Sequence, residues 1–354
     1  MDSTFQSTLN WGSMIALATA FFTAVFKTRA FVEWLDRHWL NGTPKVISDI
    51  DIELINAYFA KDEIVVNSIL AKQPRLRFRS FEHCTEVADA VRQDMEGEGR
   101  AEQLRVQQHE RGMPDDPHAF VYNPPGEPLT VPEGSNQHLP TYAIGAYTQL
   151  LALPPKIKNS LLVLGANNLV IDPASAEFVL HVRGDTAETQ SGKVHGFGGG
   201  YMPYWEGGHK TQRVRRDDCK NLRYTAMREL HEESGMLSLD HVPQLVCVIE
   251  ERHTSDPLGK FGYLTYFFVT LLNDYFAPTF AGDLSEGSTR RIVINRRNIR
   301  SMIIKSRIGK HQVHPQLRAM LVVWVFLGCP GLHFTRRFWL SNWFSRRSLR
   351  AALN

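Results

Sequence analysis

Apolar and polar positions alternate along this chain in several distinct ways. Leu9 to Phe26 reads LNWGSMIALATAFFTAVF and is uncharged for 18 residues. As a helix it would reach roughly 27 Å, just short of a ~30 Å hydrocarbon core. Only Asp2 precedes it, while Lys27 and Arg29 follow. A secretory signal carries positive charge before its apolar run, and here there is none. Charges placed after the run predict a single N-terminal span with the body of the protein in the cytoplasm. The competing readings are a buried or interfacial helix, or a soluble chain whose first 45 residues cap the fold.

The next pattern is helical. DIELINAYFAKDEIVVNSIL repeats apolar residues at three- and four-residue spacing, and FEHCTEVADAVRQDMEGEGRAEQLRVQQHERG reads as a charged, partly exposed helix. Residues 46–111 are therefore expected to form a helical module, regulatory or dimerising. Seven prolines fall between Pro114 and Pro140, which marks 112–140 as a linker or an extended segment laid over the surface, within a linker region taken as 112–150. From residue 151 the period changes. FVLHVRG (178–184) alternates like a half-buried strand, and QLVCVIE and YLTYFFVTLL read as further strands. AMLVVWVFLG (319–328) is too short to span a membrane and closes a domain over 151–330 as its last core helix. In the tail, 331–354, Trp339, Leu340, Trp343 and Phe344 lie between Arg336, Arg337, Arg346 and Arg347. Aromatics between arginines suit an anionic membrane surface, and packing against the protein's own body suits them equally.

Between the strand runs lies the most informative stretch, RELHEESGM, Arg228 to Met236. Glu229, Glu232 and Glu233 fall within roughly a 100° arc of a helix. Like charges at that spacing repel, unless a hard divalent cation gathers them. A solvated acidic face is the plain alternative. Asp217 and Asp218 are plausible N-caps for a helix running to Ser234, with Leu222, Ala226 and Leu230 as its buried stripe. Gly235 stands where a helix end wants positive φ. Upstream, GKVHGFGGGYMPYWE supplies three consecutive glycines at 198–200.

These residues resemble the Nudix box, G-x5-E-x7-R-E-U-x-E-E-x-G-U with U a bulky apolar residue. Arg228 to Met236 fills its second half without a mismatch, while Gly200 and Glu206 satisfy G-x5-E. The first half departs from the pattern, because 21 residues rather than seven separate Glu206 from Arg228. The segment around GGHKTQRVRR reads as an insertion. The resemblance, over about residues 155–328, implies an α/β/α sandwich around a mixed sheet. It also implies hydrolysis of a nucleoside diphosphate linked to another moiety, with Mg²⁺ or Mn²⁺ activating water. It casts Glu229, Glu232, Glu233 and Glu206 as metal ligands, with Glu229 as ligand or general base. Arg228 orients a glutamate. Glu250, Glu251 and Glu286 remain alternative bases. Gly199 and Gly200 would lie against the substrate, and Arg213, Arg215 and Arg216 of the insertion would clasp its phosphates. A nucleotide-sensing module with little turnover is the competing reading. His195, two residues before the glycines' Phe197, is expected as a hydrogen-bonded core histidine.

Composition narrows this picture only slightly. A hydrophobic fraction of 43% supports real cores, and a net charge of +3 is too balanced to draw nucleic acid by bulk attraction. Cys84, Cys219, Cys247 and Cys329 show neither close pairing nor zinc spacing, which favours free thiols.

Overall fold

The computed structural model describes residues 47–68, 77–80, 87, 95–110, 117–126, 141–184, 192–201, 222–235, 243–256, 259–272, 287–332 and 346–353. The N-terminal apolar run, the insertion with Glu206, Arg213, Arg215 and Arg216, Glu286 and the tail aromatics lie outside these residues. Among the described residues no helix is long and apolar enough to cross a membrane.

The scaffold is a mixed sheet. Its central strand, β5 (Leu161–Asp172), is buried along nearly its whole length, because helices cover both faces. It runs parallel to β10 (Gly262–Leu271) over ten positions, and β10 pairs antiparallel with β9 (Gln244–Glu251). On the other side β5 is flanked end to end by two short partners. β3 (Pro117–Tyr122) pairs with its first residues, and β8 (Phe197–Gly200) pairs with Gly165 to Asn168. β6 (Glu177–Arg183) continues from the far end of β5, with β7 (Val194–His195) and β11 (Gly287–Val293) as its neighbours.

Residues before 151 also belong to this sheet, which corrects the expected organisation. The helical expectation over DIELINAYFAKDEIVVNSIL holds only for its first part, α1 (Asp49–Phe59), where the Ser48 side chain accepts from the N–H of Asp51. Past Glu63, which takes a left-handed conformation at φ 53°, the β-branched run IVVNS becomes β1 (Ile64–Ser68) and pairs with β9. The charged helix is present as α2 (Met95–Glu110). Proline spacing misled in 112–150. Pro117 opens β3, and β4 (Thr141–Ala146) pairs with β3 and with β2 (Arg77–Ser80). α3 (Tyr147–Ala152) and α4 (Pro155–Lys158) then lead into β5. The sheet thus crosses the boundary expected at residue 151.

Two helical layers sandwich the sheet. On one face, α5 (Leu222–Ser234) sets Leu222 and Ala226 against Leu162, Leu164, Ala166, Val248 and Leu264. On the other face lie α1, α6 (Arg296–Ile304), α7 (Pro315–Phe326) and α8 (Arg346–Leu353), packed on Leu169, Ile171, Cys247, Ile249 and Phe267. A hairpin of β12 (Arg307–Ile308) and β13 (His311–Gln312) joins α6 to α7. α7 is buried almost throughout, the core helix expected of AMLVVWVFLG, although α8 follows it into the same core. FVLHVRG, read as half-buried, is buried on both sides in β6 because both layers reach it. In the tail, α8 packs on the body: Leu349 and Leu353 join the core, and Arg350 pairs with Asp51 at 2.5 Å. Cys247 and Cys329 are free and buried.

Candidate active site

The helix expected to hold the carboxylates forms, and the sheet decides which of them are buried. Leu222, Ala226 and Leu230 are the apolar stripe. Gly235 ends the helix at φ +68°, its N–H donating to the His231 carbonyl at 2.8 Å. Asp217 and Asp218 lie outside the described residues. Glu229 and Glu233, four residues apart, share the buried side at 9% and 8% exposure. This excludes the solvated acidic face: two carboxylates of the motif are enclosed between helix and sheet. Buried carboxylates are costly unless paired or hydrogen-bonded.

Each has partners. Gly198 donates its backbone N–H to Glu233 Oε2 at 3.0 Å, and His181 Nε2 stands 4.0 Å from Oε1 of the same carboxylate. Arg228 ties the others together. Its Nη2 lies 2.5 Å from Glu229 Oε1, its Nη1 2.7 Å from Glu232 Oε2, and Nη2 also donates to the Gly200 carbonyl at 3.2 Å. Burial by itself would lower the guanidinium pKa, but the charges of Glu229 and Glu232 outweigh it and hold the group above its usual value.

The glycines leave room for the groups that crowd this strand. A Cβ on Gly199 would overlap the Glu229 carboxylate, and one on Gly198 would overlap the Ala166 carbonyl and Asn167. The Gly200 backbone lies against the His118 ring. His118 comes from β3, outside the motif, and packs against Tyr147 with ring centroids 5.0 Å apart. Neither His118 nor His181 was singled out in the sequence; no local pattern could have found them, since strand pairing brings both here. Asn168 is a further buried polar group, and its carboxamide has no partner among the described residues. By strand alternation it lies on the α5 side, between Ala166 and Val170.

The remaining base candidates separate across the sheet. Glu250 shares its face with Val248, where Arg252 and Asn67 pair with it. Glu251 lies on the opposite face with Gln316 donating to it at 2.5 Å, and burial pushes its pKa up to about 7. His195 is the core histidine expected of it: its Nδ1 is 2.6 Å from the Asn167 amide nitrogen, and burial, reinforced by Arg183, holds its pKa near 3.

Three carboxylates, two of them sharing Arg228, leave local negative charge beside the glycine turn. The donors are hard oxygens and suit Mg²⁺ or Mn²⁺ in kind. In arrangement they are spread, and among the described residues no group of three His, Cys, Asp or Glu side chains is drawn together as a metal requires.

The solved structures that this chain resembles include a MutT protein, NUDIX hydrolases and an ADP ribose pyrophosphatase. The MutT protein of Methanosarcina mazei Go1 is 16% identical over 45% of this chain and 88% of its own, with a TM-score of 0.29. A NUDIX hydrolase from Alicyclobacillus acidocaldarius is 16% identical over 46% and 91%, with a TM-score of 0.32. A bifunctional NMN adenylyltransferase/ADP ribose pyrophosphatase from Francisella tularensis is 11% identical over 46% and 40%, with a TM-score of 0.29. No protein-family model and no curated protein matches the chain. The structural likeness is partial and covers less than half of the chain.

Proposed function

We propose that this chain is a Nudix-type hydrolase that cleaves the pyrophosphate bond of a nucleoside diphosphate linked to another moiety. The observation that carries the reading is the burial of Glu229 and Glu233 directly beneath the glycine turn, with Arg228 bridging Glu229 and Glu232. Glu229, Glu232 and Glu233 would hold Mg²⁺ or Mn²⁺, with Glu206 a fourth candidate. A bound divalent ion would offset phosphate charge and lower the pKa of a water. The chain's own residues do the rest. Arg228 fixes the Glu229 carboxylate, which accepts a proton from the attacking water. The oxygen of that water bonds to phosphorus as the bridging P–O bond breaks, and the second phosphate leaves. Glycines 198–200 keep side chains out of the way of the phosphates. Arg213, Arg215 and Arg216 are proposed to clasp them from the insertion.

A nucleotide-sensing module is the second reading, and Arg228 favours it. With its guanidinium shared between Glu229 and Glu232, one of the three carboxylate charges is already offset without a metal. The N-terminal run Leu9–Phe26 is proposed as a membrane anchor, which resistance of the chain to alkaline extraction from membranes would support and ready extraction would refute.

The experiment incubates the full chain with Mg²⁺ or Mn²⁺ and a panel of nucleoside diphosphate derivatives, beside Glu233→Gln. Metal-dependent release of a nucleoside monophosphate is expected. In the variant it should fall by at least the roughly hundredfold that loss of even an outer metal partner can cost. Nucleotide binding without cleavage would establish the sensor instead.

A further inference from the structure

The basic charge of this chain is concentrated at its C-terminal end. Residues 287–354 hold 14 of the 40 Lys and Arg and none of the 37 Asp and Glu. The balanced total of +3 conceals this division. Much of it reaches one stretch of surface. In α6, Ile299, Met302 and Ile303 face the core, and Arg296, Arg297 and Arg300 are exposed on the opposite side. Lys305 at the end of α6, with Arg307 and Lys310 of the adjoining hairpin, is exposed as well.

We propose that the outer face of α6 and the β12–β13 hairpin docks on an anionic phospholipid surface. Charge complementarity is the first argument, because a run of exposed Lys and Arg without carboxylates on the same elements is drawn to an anionic leaflet. The second is placement. α6 shares its layer with α1, which follows the N-terminal apolar run in the chain, and with α8, whose Leu349 and Leu353 join the same core. The candidate active-site helix α5 occupies the other layer. A bilayer beneath α6 therefore leaves the carboxylate helix on the far side of the sheet, open to soluble substrate. The proposal stands on charge and placement, independently of the hydrolase reading.

The test reads the contact itself, so that an N-terminal anchor does not mask it. The full chain is reconstituted with vesicles of phosphatidylcholine alone or mixed with phosphatidylserine, and its lysines are acetylated and quantified by mass spectrometry. Lys305 and Lys310 are expected to react several-fold more slowly on the anionic vesicles, with Lys260, outside the patch, unchanged. Replacing Arg296, Arg297 and Arg300 by Gln should restore the rate at Lys305 to its value on neutral vesicles. Equal reactivity on both vesicles would overturn the proposal. So would stronger protection by double-stranded DNA than by anionic vesicles, which would replace lipid by nucleic acid as the partner.

Discussion

Gly199 shows how a single hydrogen atom in place of a side chain sets the site. A Cβ there would overlap the Glu229 carboxylate, so the bare glycine leaves the end of that side chain its place against β8. Gly199→Ala must push the Glu229 carboxylate aside. The end of a flexible side chain makes that shift at little cost in stability, but the shift moves it from its position beside Arg228. We expect lost turnover with little change in Tm; a variant as active as the native chain would show that Glu229 tolerates displacement. The buried titrating groups act in opposite senses. His195, near 3 in the folded chain against 6.5 ordinarily, and His314, lowered in the same direction by burial and by His195, stay neutral in the fold. Below pH 6.5 the unfolded chain binds the extra protons, so stability falls on acidification toward pH 3. Glu251, raised to about 7 from 4.5, binds its proton more tightly in the fold. Its contribution is full below 4.5 and is lost as pH rises through 7. Stability should therefore be greatest in the weakly acidic range, and Glu251→Gln should flatten the loss on the neutral side. A series of Tm values against pH measures both limbs.

At the scale of elements, α5 repeats a lesson in periodicity. Its apolar stripe, its glycine stop and the spacing of its carboxylates are local, and all were readable before any fold was known. What periodicity could not assign was the depth of each carboxylate, because helical phase states which residues share a face and not what that face meets. The strands fared unevenly for a related reason. QLVCVIE and YLTYFFVTLL announce themselves by β-branched and aromatic content. IVVNS was absorbed into a helical reading, since the apolar residues before it keep a helical spacing and only left-handed Glu63 divides them. β3 was hidden by its prolines, yet Pro117 stands at the first residue of the strand, where a missing N–H is tolerated.

For the whole molecule, the sheet makes the region before residue 151 part of the same body as the candidate site. β1 covers the edge of β9, and β3 covers the first residues of β5 while placing His118 on Gly200. A chain beginning at residue 151 would bare both strand edges and the apolar surface that Ile55, Phe59 and Phe120 bury. We expect such a truncation to aggregate on expression, as size-exclusion chromatography would show. A monodisperse, active fragment would restore the independent catalytic domain.

By itself the sequence determined the carboxylate helix, its stop at Gly235, the glycine turn and the main strands, because each depends on residues close in the chain. Only tertiary structure decided that Glu229 and Glu233 are enclosed while Glu232 is partly open, that Glu250 and Glu251 point to opposite faces, and that His118 and His181 reach the turn. Those outcomes depend on which strands pair and in what register, and a one-residue change of register exchanges the two faces of a strand.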